Sequence, residues 1–373
     1  MQKIGILGSG QLGRMLLQAA ANYPVETFIM DKESDSPAAH LAHHFIKGDF
    51  KNYSDVYNFG KGLDAITIEI ESVNEDALKK LEEEGVTVYP SPAALTIIKN
   101  KILQKNFYRE HKIPTADFVV TNTKADMLNH SNLFPAIHKI AVGGYDGRGI
   151  IVINNKEDSL NAFDSPAVLE KKIAIKNELA VIVAIGKDGE TACYPAVDMV
   201  FDPRLNLLDY QLSPANVSAQ VLSEAKRMAL AVVKNLKSGG IFAVEMFVDN
   251  DDNVFVNETA PRVHNSGHHT IEANYCSQFD MLLRIMLNYP LGNPDSILPS
   301  AIVNILGAPG YEGKAVYEGI DKVLAMDNVF LHIYGKPETR PGRKMGHATI
   351  LGSNMEQLVN RAHEIKESIK VKC

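Results

Sequence analysis

Residues 243–269 read AVEMFVDNDDNVFVNETAPRVHNSGHH, and this stretch decides the fold. Two runs of alternating apolar residues, "AVEMFV" and "NVFVNE", flank "DNDDN", the composition of a strand, a turn and a returning strand. With Asn250 to Asn253 as the turn, Asp249 pairs with Val254, Val248 with Phe255 and Phe247 with Val256. Glu245 then falls opposite Glu258. Directly opposed side chains share one face at about 5 Å, and two carboxylates about 4 Å apart repel by roughly 4 kcal/mol at an effective dielectric of 20. A shared proton or a cation must sit between them. Hard oxygen ligands beside Asn257 suit magnesium bridging the phosphates of a nucleotide. A slip of one residue would send the acids to opposite faces and leave an ordinary exposed hairpin. Immediately downstream, Arg262, His264, Asn265, Ser266 and His268 form a run of donors of the kind an anionic substrate requires. The competing reading, with His264, His268 and His269 as metal ligands, meets no second cluster of matching spacing.

Working outward, "VGGYDGRGI" at 142–150 lies between the strands "PAIHKIAV" and "GIIVIN". Four glycines in seven positions let main-chain amides approach an anion. A loop joining strand to strand fits a flap over phosphates better than a Walker turn, whose G-x-x-x-x-G-K-[ST] is absent. The bland alternative is a surface hairpin closed by Asp-Gly. Near the end of the chain, "YGKPETRPGRKMGH" gathers Lys336, Arg340, Arg343 and Lys344, either a solvated turn or a clamp on a phosphate or carboxylate.

At the other end, "GILGSGQLG" (5–13) follows the first apolar strand and opens a helix, with Asp31 some twenty residues on. That is the pattern of a dinucleotide-binding turn, though many α/β domains use it for another phosphate or for close packing. Strands "KIGILG", "ETFIM", "AITIEI" and "VTVYP" alternate with helical segments such as "NEDALKKLEEEG", which predicts a small parallel α/β layer over 1–95. A single helix, "LTIIKNKILQKNFYREHK", follows. Residues 96–295 read as an α+β domain of longer strands and hairpins. Residues 296–373 read as mixed strand with a closing helix, "NMEQLVNRAHEIKESIKV".

At 373 residues the chain exceeds one ordinary core. Its net charge of −7 argues against nucleic acid as a general partner. No apolar run approaches membrane-spanning length, and three scattered cysteines fit a reducing, cytoplasmic location.

The ordered series "GSGQLGRM", "NKILQK", "GGYDGRG", "EKKIAIKNE", "AVEMF", "NETAPRVHNSGH" and "RPGRKMGH" closely resembles ATP-grasp ligases, in particular those that carboxylate aminoimidazole ribonucleotide in purine biosynthesis. The likeness runs to about residue 350. It implies an N-terminal pre-ATP-grasp α/β domain, a central ATP-grasp domain and a small mixed C-terminal domain. The reaction it implies phosphorylates bicarbonate with ATP and transfers the carboxyl group to the exocyclic amine, with Mg2+ as cofactor and a homodimer as the assembly. By the same resemblance Lys101 and Lys139 meet the ATP phosphates beneath the loop Gly144, Tyr145, Asp146, Gly147, Arg148 and Gly149. Glu170, Lys171, Lys172 and Ile173 read the adenine, and Glu178 takes the ribose. Glu245 and Glu258 hold magnesium, assisted by Asn257. The ribonucleotide meets Gln11, Glu71, Tyr145, Asp146, Arg148, Arg262, His264, Asn265, Ser266, Lys336 and Arg343. Asp146, Arg262 and Lys336 are the implied catalytic residues, Asp146 either accepting the amine proton or orienting the amine. Lys101 stands where many members have arginine, and "VDMVFD" lacks a histidine common near Phe201. On this reading the glycine turn faces the ribonucleotide, and Asp31 has no ribose to hold. The alternatives are another ATP-grasp ligase, such as a formate-dependent transformylase or an amino-acid ligase, a nicotinamide dehydrogenase, and a non-catalytic nucleotide-binding regulator, which would require loss of a magnesium carboxylate where both are present.

Overall fold

The first ninety residues build a five-stranded parallel sheet from β1 (Gln2–Leu7), β2 (Val25–Asp31), β3 (His44–Lys47), β4 (Ala65–Ile68) and β5 (Thr87–Tyr89), in the order β3-β2-β1-β4-β5. A computed structural model describes residues 1–144, 149–202 and 207–373. β4 is buried along its whole length, as a central strand covered on both faces must be. The edge strand β3, "HFIK", is only four residues long with exposed polar ends and goes unread in the sequence pattern. Helix α1 (Gln11–Ala20) turns Leu12, Met15, Leu16 and Ala20 onto the sheet at helical spacing. Helices α2 (Tyr53–Gly60) and α3 (Glu75–Glu83) start at Asn52 and Asn74, whose side chains accept from the amides of Asp55 and Ala77.

The single helix expected after β5 is two helices. α4 (Pro92–Lys99) and α5 (Lys101–Glu110) are separated at Asn100, which leaves helical geometry and accepts from the amides of Ile102 and Leu103. An asparagine within an otherwise helical pattern serves here as the cap of a new helix. The break has a consequence for the site: Lys101 becomes the first residue of α5, and its amide donates to Ala141 O at 2.8 Å.

A four-stranded sheet follows, β6 (Phe118–Thr121), β7 (Ala136–Ile140), β8 (Ile150–Ile153) and β9 (Ala167–Lys171), ordered β6-β9-β7-β8. β7 and β8 pair antiparallel across the glycine loop. The larger sheet contains β10 (Ile175–Ile185), β11 (Thr191–Cys193), β12 (Val197–Asp202), β13 (Leu207–Ser213), β14 (Gly240–Asp249), β15 (Val254–Ala260) and β16 (Ser300–Leu306). It continues into Lys344–Leu351 and Val329–Ile333, with order β15-β14-β10-β12-β13-β16 and then those two strands. Three strands of the C-terminal segment thus extend the central sheet, β16 pairing with β13 from Tyr210↔Val303 to Ser213↔Ser300, while its shorter strands form two separate two-stranded ribbons.

The helix Ala219–Leu236 buries Val221, Ala225, Met228, Val232 and Leu236 against one face of this sheet. The helix Gln278–Met286 covers the other face and packs against α1, so that Leu16, Ile182, Phe279, Leu282 and Tyr334 share one core. The glycine turn, the acidic hairpin and the basic C-terminal loop are thereby attached to elements that share packed core residues.

Candidate active site

The acidic hairpin forms, with a register that differs from the sequence reading near its tip. Val248 pairs with Val254, Phe247 with Phe255 and Met246 with Val256, each one residue out of step with the expected partners. The loop is tighter than the four residues assumed. The Asp249 amide donates to Asn253 O, the Asp249 carboxylate accepts from the amides of Asp251 and Asn253, and Asp252 takes φ 62°. A β-bulge between Glu245 and Met246 then absorbs one extra residue of β15, and Glu245 does pair with Glu258. On the neighbouring strand Glu245 pairs with Ala180, so Glu178, two residues from Ala180, shares the face of both acids.

Lysines meet these acids from the other side of the cleft. Lys101 Nζ lies 2.7 Å from Glu258 Oε2. Lys139 on β7 donates to Asn257 Oδ1 at 2.8 Å and to Glu170 Oε2 at 3.1 Å. Lys105, one helical turn after Lys101, stands 3.2 Å from the same Glu170 oxygen. α5 holds both lysines because it is fastened to β15, directly by Tyr108 OH meeting Thr259 Oγ1 at 2.7 Å and indirectly by Lys105 Nζ reaching Thr115 Oγ1 at 2.6 Å, whose hydroxyl donates to Val256 O.

The acids answer the charge around them in opposite directions. Burial, then the charges of Glu258 and Glu178, push the Glu245 carboxyl up to about 8. Burial would raise Glu258 too, but Lys101 beside it wins and holds that carboxyl down at about 2. Glu178 is raised to about 7 by burial, against the pull of Lys139. Glu170 stays low despite its burial, because Lys105 and Lys139 both face it. Lys105 itself is lowered to about 8, mainly by burial. Of the opposed pair, Glu245 is thus the acid pushed toward its protonated form and Glu258 the one held ionised.

The donor run after β15 closes the cleft. His264 Nε2 is 3.4 Å from Glu245 Oε1, and its Nδ1 pairs with Ser266 Oγ at 2.9 Å. Burial, then Arg262 and Lys344, lower His264 to about 3, so the imidazole is neutral and the shared proton belongs to Glu245. Arg262 Nε stands 2.8 Å from Glu71 Oε1, an ion pair without hydrogen-bond alignment. Asn265 opens the short turn Asn265–Gly267 beside it. His268 and His269 are buried away from the acids, His268 stacked on His347 at 4.7 Å.

Next to Glu170, the Lys171 amide donates to Asp117 O and the Lys172 amide to Pro135 O, while the Ile173 amide pairs with none of the described residues. These three residues and the hairpin tip line a cavity of about 290 Å³. Glu170 Oε1 is buried without a partner among the described residues. Gln11 begins α1, and Arg14 Nη1 lies 3.8 Å from where a Cβ on Gly335 would sit, which brings the C-terminal loop against the glycine turn. In that loop Lys336 Nζ donates to Lys344 O at 2.6 Å and Arg343 Nη1 to Glu338 O at 2.7 Å. Gly144 and Gly149 frame the flap, and Tyr145, Asp146, Gly147 and Arg148 lie outside the described residues.

Three side chains join the site that the sequence reading did not assign to it. Lys105 was legible as the i+4 neighbour of Lys101 on one helix face. Lys344, named within the basic patch, reaches Glu245 and His264 electrostatically. Glu69 carries no local signal; it caps the glycine turn from 59 residues away.

Acids on a large antiparallel sheet, facing lysines from a smaller sheet and from the helix that precedes it, define an ATP-grasp enzyme. Residues 106–279 match the ATP-grasp domain, 1–99 the ribonucleotide synthetase preATP-grasp domain and 300–361 the phosphoribosylaminoimidazole carboxylase C-terminal domain. The N5-carboxyaminoimidazole ribonucleotide synthetase of Thermotoga maritima is 37% identical, with TM-score 0.92 over 100% of this chain and 99% of that one. The Aspergillus clavatus N5-carboxyaminoimidazole synthase, solved with ADP and 5-aminoimidazole ribonucleotide, is 32% identical with TM-score 0.88 over 98% of each chain. The Mycobacterium bovis N5-carboxyaminoimidazole ribonucleotide synthase is 33% identical over 96% of this chain and 86% of its own. The chloroplastic phosphoribosylaminoimidazole carboxylase of Vigna aconitifolia is 36% identical over 95% of this chain, which spans only 65% of that protein. The chain belongs to the N5-carboxyaminoimidazole ribonucleotide synthase family of purine biosynthesis. Hydride transfer is thereby set aside. No helix among the described residues is long and apolar enough to cross a membrane.

Proposed function

We propose that this chain carboxylates the exocyclic amine of 5-aminoimidazole ribonucleotide, using ATP and bicarbonate and releasing ADP and phosphate. The observation that carries the reading is the opposed pair Glu245 and Glu258, flanked by Lys101 and Lys139 and continued by the Arg262–Ser266 donors. A bicarbonate oxygen attacks the γ-phosphorus and ADP leaves, giving carboxyphosphate. The amine nitrogen then attacks the carboxyl carbon, phosphate leaves with the electrons of the C–O bond, and the nitrogen loses a proton. Nearly all the catalysis required is positioning and neutralisation of charge.

Lys101 and Lys139 take the phosphates, each moving from a carboxylate or amide partner to the nucleotide. The Ile173 amide and the unpartnered Glu170 Oε1 are the donor and acceptor offered to the adenine edge, and Glu178 to the ribose hydroxyls. The acid pair fits Mg2+, because hard oxygen donors that must otherwise hold a proton between them are what a divalent cation replaces. Bound there, Mg2+ supplies positive charge to the phosphates during transfer. Arg262, His264, Asn265, Ser266, Lys336 and Arg343 face the ribonucleotide with Gln11 and Glu71. The flap from Gly144 to Gly149 excludes water from carboxyphosphate, with Asp146 at the amine.

We assign the turn, nucleotide and closing functions to 1–95, 96–295 and 296–373, although one sheet runs through the last two. A cytoplasmic setting is supported by the unpaired Cys193, Cys276 and Cys373. A homodimer is supported by the resemblance and by exposed Tyr275, Ile297 and Leu298 on adjoining segments.

The test is phosphate release from ATP. It should require Mg2+ and rise with bicarbonate and aminoimidazole ribonucleotide, and Glu258→Gln should lose about a hundredfold or more. Indifference to the ribonucleotide, or near-normal turnover in the variant, overturns the reading.

A further inference from the structure

The turn that looks built for a phosphate is filled by the protein itself. Helix α1 has no side-chain cap of its own at Gly10. In its place the Glu69 carboxylate, carried just past the end of β4, accepts from the Gly10 amide at 2.6 Å and the Leu12 amide at 3.3 Å. The glycines of "GSGQLG" crowd that carboxylate. A Cβ on Gly10 would lie 2.3 Å from Glu69 Oε1 and one on Gly13 2.8 Å from Oε2, while Gly8 takes φ +102° with its Cβ position 3.1 Å from Glu69 Cβ. Their smallness makes room for an internal anion, where a dinucleotide-binding turn would make room for a pyrophosphate. From the other side Asp31 Oδ2 accepts from Ser9 N at 2.8 Å and Ser9 Oγ at 3.1 Å. Asp31 therefore has a role without a ribose, and the turn is gripped between two carboxylates.

Glu69 is also tied to the rest of the cleft. Its amide donates to Leu7 O at 2.9 Å, which fixes the segment leading to Glu71. Glu71 in turn holds Arg262 at 2.8 Å. Gln11 lies between the two residues whose amides Glu69 accepts. Burial pushes the Glu69 carboxyl up to about 7, the Gly10 amide and Arg262 pulling the other way. Asn52 and Asn74 cap α2 and α3 locally and without charge, whereas Glu69 reaches the turn from 59 residues away and lies two residues from Glu71, the partner of Arg262; that placement ties the turn to the Arg262 segment as a local cap would not.

Resting on the function proposed above, we propose that Glu69 is a positioning residue for the ribonucleotide. It is a resident anion that seats the glycine turn so that Gln11, and through Glu71 the Arg262 guanidinium, present one preformed surface to that substrate. It touches neither ATP nor the acid pair, so its influence falls on one substrate of the three.

Glu69→Gly removes the whole propionate-sized side chain and leaves a cavity large enough to admit acetate, and Glu69→Gln keeps one acceptor oxygen. Steady-state kinetics should show the ribonucleotide KM raised about tenfold or more in Glu69→Gly and by less in Glu69→Gln, from the loss of charge-assisted hydrogen bonds. The KM for ATP should stay within about twofold of wild type. Acetate should lower the raised KM of Glu69→Gly and leave wild type unmoved, with chloride at equal ionic strength inert in both. A wild-type ribonucleotide KM in both variants overturns the inference. So does a loss shared equally by ATP and ribonucleotide that acetate does not repair, since that is the signature of a merely structural cap. Should Glu69→Gly fail to fold, the KM split in Glu69→Gln decides alone. A wild-type enzyme indifferent to the ribonucleotide would defeat the functional reading itself, whereas a responsive wild type with insensitive variants defeats only this inference.

Discussion

Replacing Glu245 by glutamine should make the ligand-free protein more stable while disabling it, and the size of the gain should track pH in a defined way. Glu245 is raised from the ordinary glutamate value of 4.5 to about 8 by burial and by the charges of Glu258 and Glu178. Below 4.5 the residue is protonated in both folded and unfolded chains and contributes nothing to the pH dependence. Between 4.5 and 8 the unfolded chain has released the proton and the folded chain has kept it, so stability is lost as pH rises, by about 1.4 kcal/mol per pH unit. From 4.5 to pH 7 this amounts to about 3 kcal/mol, and it levels off above pH 8. The Coulomb term alone has the right size, since two carboxylates about 5 Å apart at an effective dielectric of 20 repel by about 3 kcal/mol. Glutamine has the same shape and no proton to lose. Urea unfolding of wild type and Glu245→Gln, without nucleotide or Mg2+, should therefore give midpoints that nearly coincide at about pH 5 and diverge toward pH 8, the variant being the more stable. Mg2+ with ATP at about a hundredfold excess over its Kd should then add about 2.7 kcal/mol to wild type and much less to the variant. A stability difference that does not grow with pH, or a less stable variant, would show that the two acids do not strain the fold in the absence of ligand.

Two other predictions concern groups behind the cleft. His268 and His347 are held well below the ordinary value of 6.5, and His269 is lowered to about 4, chiefly by burial in each case. The folded chain keeps them neutral while the unfolded chain takes up protons, so their contribution is whole above pH 6.5 and declines below it by about 1.4 kcal/mol per unit for each histidine. His268→Phe should flatten the acid side of the stability profile by one such slope in urea titrations at about pH 5 and 7, and an unchanged slope would refute the assignment. Lys105→Met should destabilise the protein by about 3–5 kcal/mol, because Lys105 and Glu170 are both buried and the carboxylate loses a partner. It should also raise the KM for ATP as Glu170 draws Lys139 inward. Adding Glu170→Gln should recover much of the stability, and strictly additive losses would show that the two do not act as a pair.

Much of this architecture was legible because it rests on local patterns. The strands of the first sheet announce themselves by apolar runs between capped helices. The β7–β8 and β14–β15 hairpins are marked by alternation on either side of glycine-rich or Asn/Asp-rich turns. The break at Asn100 was legible too, since an asparagine opening a new apolar repeat is a cap signal, but the continuous helical periodicity masked it. Features made by distant partners left no local trace. β3 is too short to stand out until β2 pairs with it. The union of β13 with β16 joins segments some ninety residues apart. The Glu69 carboxylate meets the glycine turn across three intervening strands of sequence, and nothing in "ITIEIES" distinguishes it from Glu71.

The bulge in β15 shows why the expected pairing of the acids held although the register behind it did not. In a regular strand successive side chains point to opposite faces, so Asn257 and Glu258 could not both look into the cleft. Here both do, Asn257 Oδ1 accepting from Lys139 at 2.8 Å and Glu258 meeting Lys101 at 2.7 Å. The tight loop at Asp249 starts the two strands one residue out of step, which with regular pairing would set Asn257 opposite Glu245 and turn Glu258 away. The single extra residue between Val256 and Glu258 restores the acid pair and, in the same movement, swings Asn257 onto the cleft side. Two adjacent residues thus serve two lysines from two different elements. A regular β15, with either Asn257 removed or the loop lengthened to the four residues that simple counting suggests, keeps the acids opposed but gives up the Asn257–Lys139 bond, leaving Lys139 to Glu170 alone.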